Sequence, residues 1–190
     1  MSPATLTPVP ATPLMTADEF LAQYGGELNV ELVKGRVVRY PMPGAKHGGV
    51  CVKAVFLIYE FVSRHGLGRV MSNDTFVRIA EDPDTIRGAD VCYISYTRLP
   101  KDQDLPDGPC PTPDLVVEIK SPTDRMNRVI AKATEYLEAG VAVVVALIPE
   151  TKSAVLFRPD DVPYPLATDA ELTLPDVLPG FSVPVRKFFE

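Results

Sequence analysis

Residues 113–120 read Pro-Asp-Leu-Val-Val-Glu-Ile-Lys, an apolar strand that carries a Glu-x-Lys pair where a plain core strand would carry aliphatics alone. Side chains alternate between the two faces of a strand. Leu115, Val117 and Ile119 therefore point one way, while Asp114, Val116, Glu118 and Lys120 point the other. Three ionisable groups on one face of a β-rich segment need water, partners or a metal, because burying them bare costs several kcal/mol each.

These three groups do not make a site by themselves. From Asp114 to Glu118 the extended chain covers about 13 Å, so the two carboxylates do not reach one ion. Lys120 lies only ~6.6 Å of backbone from Glu118. A second acidic ligand is expected from a neighbouring strand, and Asp90, at the head of Asp90-Val-Cys-Tyr-Ile-Ser95, is the best placed, since sequential strands usually lie side by side. One carboxylate from each of two strands plus a lysine suits Mg²⁺ or Mn²⁺, which binds through one or two carboxylates and completes its shell with water and phosphate oxygens. Without further information, an ion pair on a solvated sheet face is an alternative reading of Glu118 and Lys120.

Outward from this strand, Thr16-Ala-Asp-Glu19 is a capping box that starts a short helix ending near Gly25-Gly26. Residues 29–33 and 36–40 flank Lys34-Gly35, a two-residue hairpin signal. His47 to His65 reads as a helix, with Val50, Ala54, Leu57, Ile58 and Phe61 on one stripe. Thr75–Ala80 and Asp90–Ser95 read as strands, and residues 97–113 as a proline-rich loop. Ser121-Pro-Thr-Asp124 starts a helix that Gly140 closes. Val141–Ile148 is an apolar, β-branched run expected at the centre of a sheet, and a hairpin leads on to Val155–Arg158. The order specifies a mixed α/β sandwich, in the α+β sense of a central mixed sheet flanked by helices. One domain over 16–190 follows a flexible Pro/Thr-rich arm over 1–15.

Composition sets the class. The 190 residues are 46% hydrophobic and 23% charged, ordinary values for a soluble globular chain, with no apolar run long enough for a membrane span and no secretory signal pattern. A cytoplasmic protein is expected. Cys51, Cys92 and Cys110 have no metal-thiolate or disulfide spacing; the first falls in a helix and the second in a strand, which suits core packing. The net charge of −6 argues against non-specific nucleic-acid binding, yet residues 31–70 carry a local balance of +5, which permits phosphate contact. His65 suits a helix C-terminus.

Asp90, then Glu118-Ile-Lys120 on the next strand, then a helix resembles the PD-(D/E)XK nuclease arrangement, and more closely its Uma family (DUF820 type) of restriction-endonuclease-like proteins. The resemblance is carried by Glu31-Leu-Val-Lys-Gly35, Pro43 through His47, Asp90-Val, Pro113 through Pro122, Lys132 with Tyr136, Gly140-Val141 and Leu178-Pro-Gly-Phe181, spanning residue 16 to the C-terminus. It implies a restriction-endonuclease-like core and metal-dependent endonucleolytic hydrolysis of DNA phosphodiester bonds. Asp90 and Glu118 would hold Mg²⁺ (or Mn²⁺), with the Ile119 carbonyl as a further ligand, and Lys120 would assist the attacking water. It also raises His47, Glu31 and Lys132 as site residues, Lys132 because a helix lysine substitutes for the strand lysine in many relatives. Ala89 stands where the family usually has proline. A homodimer is expected, because two strands of a duplex need two single-site chains. The competing expectation is a non-catalytic nucleic-acid-binding or interaction module on the same scaffold.

Overall fold

A computed structural model describes residues 13–190; residues 1–12, most of the expected arm, lie outside the described residues. The chain runs α1 (Ala17–Tyr24), β1 (Val30–Val33), β2 (Arg36–Arg39), α2 (Ala45–His65), β3 (Gly68–Ala80), β4 (Thr85–Ser95), β5 (Leu115–Ile119), α3 (Met126–Glu138), β6 (Val143–Ile148), β7 (Ser153–Phe157), β8 (Tyr164–Leu166), β9 (Glu171–Leu174) and β10 (Leu178–Pro184), ending in a 3₁₀ turn over Val185–Phe188. Eight strands form one sheet in the order β2-β1-β4-β5-β6-β7-β8, with β3 also paired to β4, and β9–β10 form a separate ribbon. Only β5 and β6 run parallel, joined by the α3 crossover; every other pair is antiparallel. The expected central mixed sheet flanked by helices is the observed architecture.

The alternation of β5 places its two faces against different helices. Leu115, Val117 and Ile119 pack with Val50, Ala54, Ile58 and Val62 of α2. Val116 packs with Ala133 and Tyr136 of α3, so Glu118, on the same face as Val116, is aimed at α3. All six residues of β6 are buried, as a strand covered on both faces requires. At the other end of the sheet the capping box of α1 is formed, with Thr16 and Glu19 each bonding the other's backbone amide. Lys34 and Gly35 turn the β1–β2 hairpin with φ of +50° and +71°, the left-handed pair that a tight twisted hairpin requires.

One expectation is corrected. β4 does not begin at Asp90 but at Thr85, so Arg87-Gly88-Ala89 lies inside the strand. Its partners supply the reason: β3 pairs with β4 from Thr85 to Ser95, β1 pairs at Ile86, and β5 pairs over Val91–Tyr93. Since β3 takes one edge of β4 throughout, β1 and β5 share the other edge and leave a gap between them around residues 87–90. The candidate site occupies that gap.

Candidate active site in the gap between two strands

The backbone of β4 at Gly88 has no strand partner on the open edge, and buried backbone groups must be paired. Two charged side chains do it. Glu31 of β1 accepts a hydrogen bond from the Gly88 amide at 3.0 Å, and Lys132 of α3 donates to the Gly88 carbonyl at 3.0 Å. Lys132 also donates to Glu118 at 2.8 Å and lies 3.2 Å from Glu31. Arg87 holds the other oxygen of Glu31 at 2.7 Å and reaches Glu135 of α3 at 2.9 Å and the Tyr40 hydroxyl at 3.2 Å. A ladder of alternating charge thus runs Glu135–Arg87–Glu31–Lys132–Glu118 across the gap.

Electrostatics differ sharply along this ladder. Burial pushes the Glu31 carboxyl up, but the charges of Lys132 and Arg87 outweigh it and hold the group at about 2 against an ordinary 4.5. Glu118 goes the other way, to about 8, because burial is reinforced by the nearby Asp90 charge and Lys132 offsets only part of it. Burial works against the Lys132 ammonium, yet Glu118 and Glu31 keep it charged well above its usual range. The second oxygen of Glu118 accepts from the buried Tyr136 hydroxyl at 3.0 Å.

Asp90 stands at the far side of Glu118. Its Oδ2 accepts the Ile119 amide at 2.7 Å and lies 3.3 Å from His47 Nε2 on the first turn of α2. The bond to Asp90, followed by that to Cys51, raises the His47 imidazole to about 10. Lys120 does not contact Glu118: its ammonium donates to Glu150 at 3.1 Å and to the Ser121 carbonyl at 3.0 Å. Asp114 is tied to the Ser95 amide at 2.7 Å and to Arg98 at 2.9 Å, outside the site.

A cavity of about 340 Å³ opens over the gap, and Glu31, His47, Asp90, Glu118, Ile119, Lys120 and Lys132 all line it. The structure therefore brings these seven candidate site residues to one cavity. It adds Asp74, which also lines the cavity. Asp74 sits in a bulge where β3 carries one extra residue between Ser72 and Thr75. Asn73 and Asp74 both take left-handed backbone there, with φ of +69° and +54°. Their signal in the sequence was the Asn-Asp pair itself, the residue types that best tolerate that conformation. A side chain at Gly88 would press within 3.1 Å of Asp74, so glycine keeps the bulge and the strand in register. Burial and the Asp90 charge both raise the Asp74 carboxyl, and Asp74, Asp90 and Glu118 all line the cavity. Carboxylate oxygens are the donor type that a cation such as Mg²⁺ takes.

Residues 17–186 match the Uma2 family, described as "Putative restriction endonuclease". Among solved structures the chain is similar to "a putative nuclease belonging to DUF820 from Anabaena variabilis ATCC 29413", with a TM-score of 0.81, 21% identity, and coverage of 92% of this chain and 97% of that one; at this identity the likeness speaks for the fold. No curated protein matches. With the family matched from α1 to the C-terminal 3₁₀ turn, the chain belongs to the Uma2 family.

Proposed function

We propose that the protein is a Mg²⁺- or Mn²⁺-dependent endonuclease that hydrolyses DNA phosphodiester bonds. The observation that carries this reading is the convergence of Asp90, Glu118 and Lys132 in one cavity at a gap in the sheet. Asp90 and Glu118 would hold the cation, with Asp74 and the Ile119 carbonyl as further oxygen donors. A bound divalent ion acidifies water and polarises a phosphoryl oxygen. The chain's own groups do the rest. The Ile119 amide fixes the Asp90 carboxylate, and the Tyr136 hydroxyl fixes Glu118. A charged lysine beside the reacting phosphate offsets the negative charge that develops there.

Of the two candidate lysines, geometry favours Lys132 as that group, because it touches Glu118 while Lys120 is engaged by Glu150 at the cavity wall. His47, at the start of α2, lines the cavity beside Asp90, and Glu31 holds Lys132 in position.

The substrate class has support of its own. Lys46, Lys53 and Lys152 line a second cleft along α2, beside Pro149 and Phe188, and all three are exposed. Among the described residues none of them takes part in an ion pair. A homodimer belongs to the proposal as the simplest way to cut both strands of a duplex with one site per chain, and light scattering of the purified chain tests it.

The direct experiment is cleavage of supercoiled plasmid in Mg²⁺ or Mn²⁺ by wild type beside Asp90→Ala and Glu118→Ala. Activity should vanish in both variants and in EDTA. Equal cleavage by all three proteins would sink the assignment. DNA binding without cleavage, and without metal uptake by calorimetry, would point instead to a non-catalytic nucleic-acid module.

A further inference from the structure

Cys51 is only partly buried, unlike Cys92 and Cys110. It lies one turn beyond His47 on the same face of α2, at the i, i+4 spacing that brings two helix side chains together. Its sulfur is 3.5 Å from His47 Nδ1, and the other ring nitrogen is 3.3 Å from Asp90 Oδ2. One donor atom from each of the three residues lies within 4.8 Å of the other two. A tetrahedral cation with bonds of about 2.0–2.3 Å has ligand–ligand edges of roughly 3.3–3.6 Å. One ion takes one ring nitrogen, so one of the two His47 contacts serves as an edge at its present length, and side-chain rotation draws in the remaining edges from within 4.8 Å.

We propose that His47, Cys51 and Asp90 form a second cation site, selective for a thiophilic divalent ion of the Zn²⁺ class. A sulfur and an imidazole nitrogen favour Zn²⁺ or Co²⁺ over Mg²⁺, whose shell is built from oxygen. The ligands are held in advance: two share one helix turn, and the Ile119 amide fixes the third. Cys51 lies behind His47 and does not line the catalytic cavity, so a bulky substrate meets the imidazole before it meets the sulfur. This geometry suits a small ion rather than nucleophilic attack on a substrate. Binding forms the metal–sulfur bond as the thiol proton leaves to solvent, and any proton on the coordinating imidazole nitrogen leaves with it.

One consequence rests on the nuclease reading. Asp90 would serve both sites, so an ion bound to Cys51 removes a ligand from the Mg²⁺ site, and Zn²⁺ inhibits a Mg²⁺-activated enzyme.

The test is to titrate the full, reduced, metal-free chain with Co²⁺, without nucleic acid, and record its absorption. Wild type should develop a near-ultraviolet thiolate-to-cobalt band together with visible tetrahedral bands. Equimolar Zn²⁺ should displace them, and equimolar Mg²⁺ should not. Cys51→Ser should lose the thiolate band, and Asp90→Asn should weaken Co²⁺ binding more than about tenfold. A wild type without the band, or a band that survives in Cys51→Ser, overturns the assignment. The readout involves no cleavage, so a chain that cuts nothing in Mg²⁺ leaves the cation site standing. A chain that cuts but shows no band leaves the nuclease reading standing.

Discussion

Replacing Arg87 by methionine probes whether the charge ladder holds the gap between β1 and β5 together. Arg87 is 8% exposed and Glu31 5%, so neither charge is well hydrated. Glu31 is displaced from an ordinary 4.5 to about 2, and at about 1.4 kcal/mol per tenfold that corresponds to roughly 3 kcal/mol favouring its ionised form. Lys132 and Arg87 share this contribution, and Arg87 adds a direct hydrogen bond. Its loss also unpairs Glu135, which is partly exposed and contributes less. We expect Arg87→Met to cost about 2–4 kcal/mol, near the lower part of the range for breaking a buried ion pair. With a urea dependence of about 1–3 kcal/mol per molar, the unfolding midpoint should fall by roughly 1–2 M. Circular dichroism at pH 7 in EDTA is the assay, since the chain has no tryptophan.

The pH dependence of that cost is a second reading of the same experiment. The Glu31 carboxyl sits lower in the folded than in the unfolded chain, so its stabilisation is fully present above about pH 4.5 and fades as pH falls toward 2. The difference between wild type and Arg87→Met should therefore shrink over that window, as protonated Glu31 no longer needs a cation. Adding Glu31→Gln to Arg87→Met should recover part of the loss, because the amide leaves no buried charge unpaired. A midpoint shift below about 0.3 M, or a cost that stays constant from pH 7 to pH 3, would refute the reasoning.

Lys132→Ala should abolish plasmid cleavage while Lys120→Ala retains part of it; the reverse order would return the functional role to the strand lysine. The triple variant Lys46→Ala, Lys53→Ala, Lys152→Ala should lower the slope of log DNA affinity against log salt by up to about 2.7 in magnitude, at ~0.9 per phosphate contact, and an unchanged slope would remove the basic cleft from the substrate path. Asp114→Ala should cost about 1.5–3 kcal/mol through its charged hydrogen bonds to Arg98 and the Ser95 amide, with cleavage per folded molecule retained. Thr16→Ala should cost about 1 kcal/mol by opening the capping box of α1, measured as a shift in the urea midpoint.

What the sequence disclosed and what it concealed follow from the range of the interactions. Glu118 and its direction were legible because strand alternation is a local rule, and β5 obeys it: aliphatics to α2, acid to α3. The Lys34-Gly35 hairpin and the α1 capping box were legible for the same reason. Arg87 fell outside the expected strand Asp90–Ser95 because Arg-Gly-Ala has little strand preference; its backbone is extended by pairing with Val77 of β3, and its side chain finds Glu31 and Glu135, long-range contacts that no local rule contains. Asp74 was hidden by a bulge that breaks the period-two pattern of β3. Lys120 was placed on the correct face, but its capture by Glu150 depends on a turn 30 residues further on. Strands β8 and β9, of three and four residues, alternate over too few positions to stand out from the proline-rich segment around them, and β10 is broken by an irregularity between Leu178 and Ser182.

The ladder also explains why the chemistry belongs at its Glu118 end. Each inner rung has a neighbour of opposite charge on both sides: Arg87 between Glu135 and Glu31, Glu31 between Arg87 and Lys132, Lys132 between Glu31 and Glu118. Glu118 has a cation on one side only; beyond it stand a neutral hydroxyl and the carboxylate of Asp90. Asp90 is paired in turn with the His47 imidazole, which that contact raises to about 10, so the two carboxyls stand together between Lys132 and His47 in a cavity open to solvent. A divalent cation there would bind between the two carboxyls, and a phosphate would follow it. On that logic Arg87 and Lys132 set the strength with which the last rung holds its ion, so substitutions at Arg87 should weaken metal affinity as well as stability. Calorimetric Mn²⁺ titration of folded Arg87→Met is the measurement, and an affinity equal to that of wild type would separate the ladder from the site.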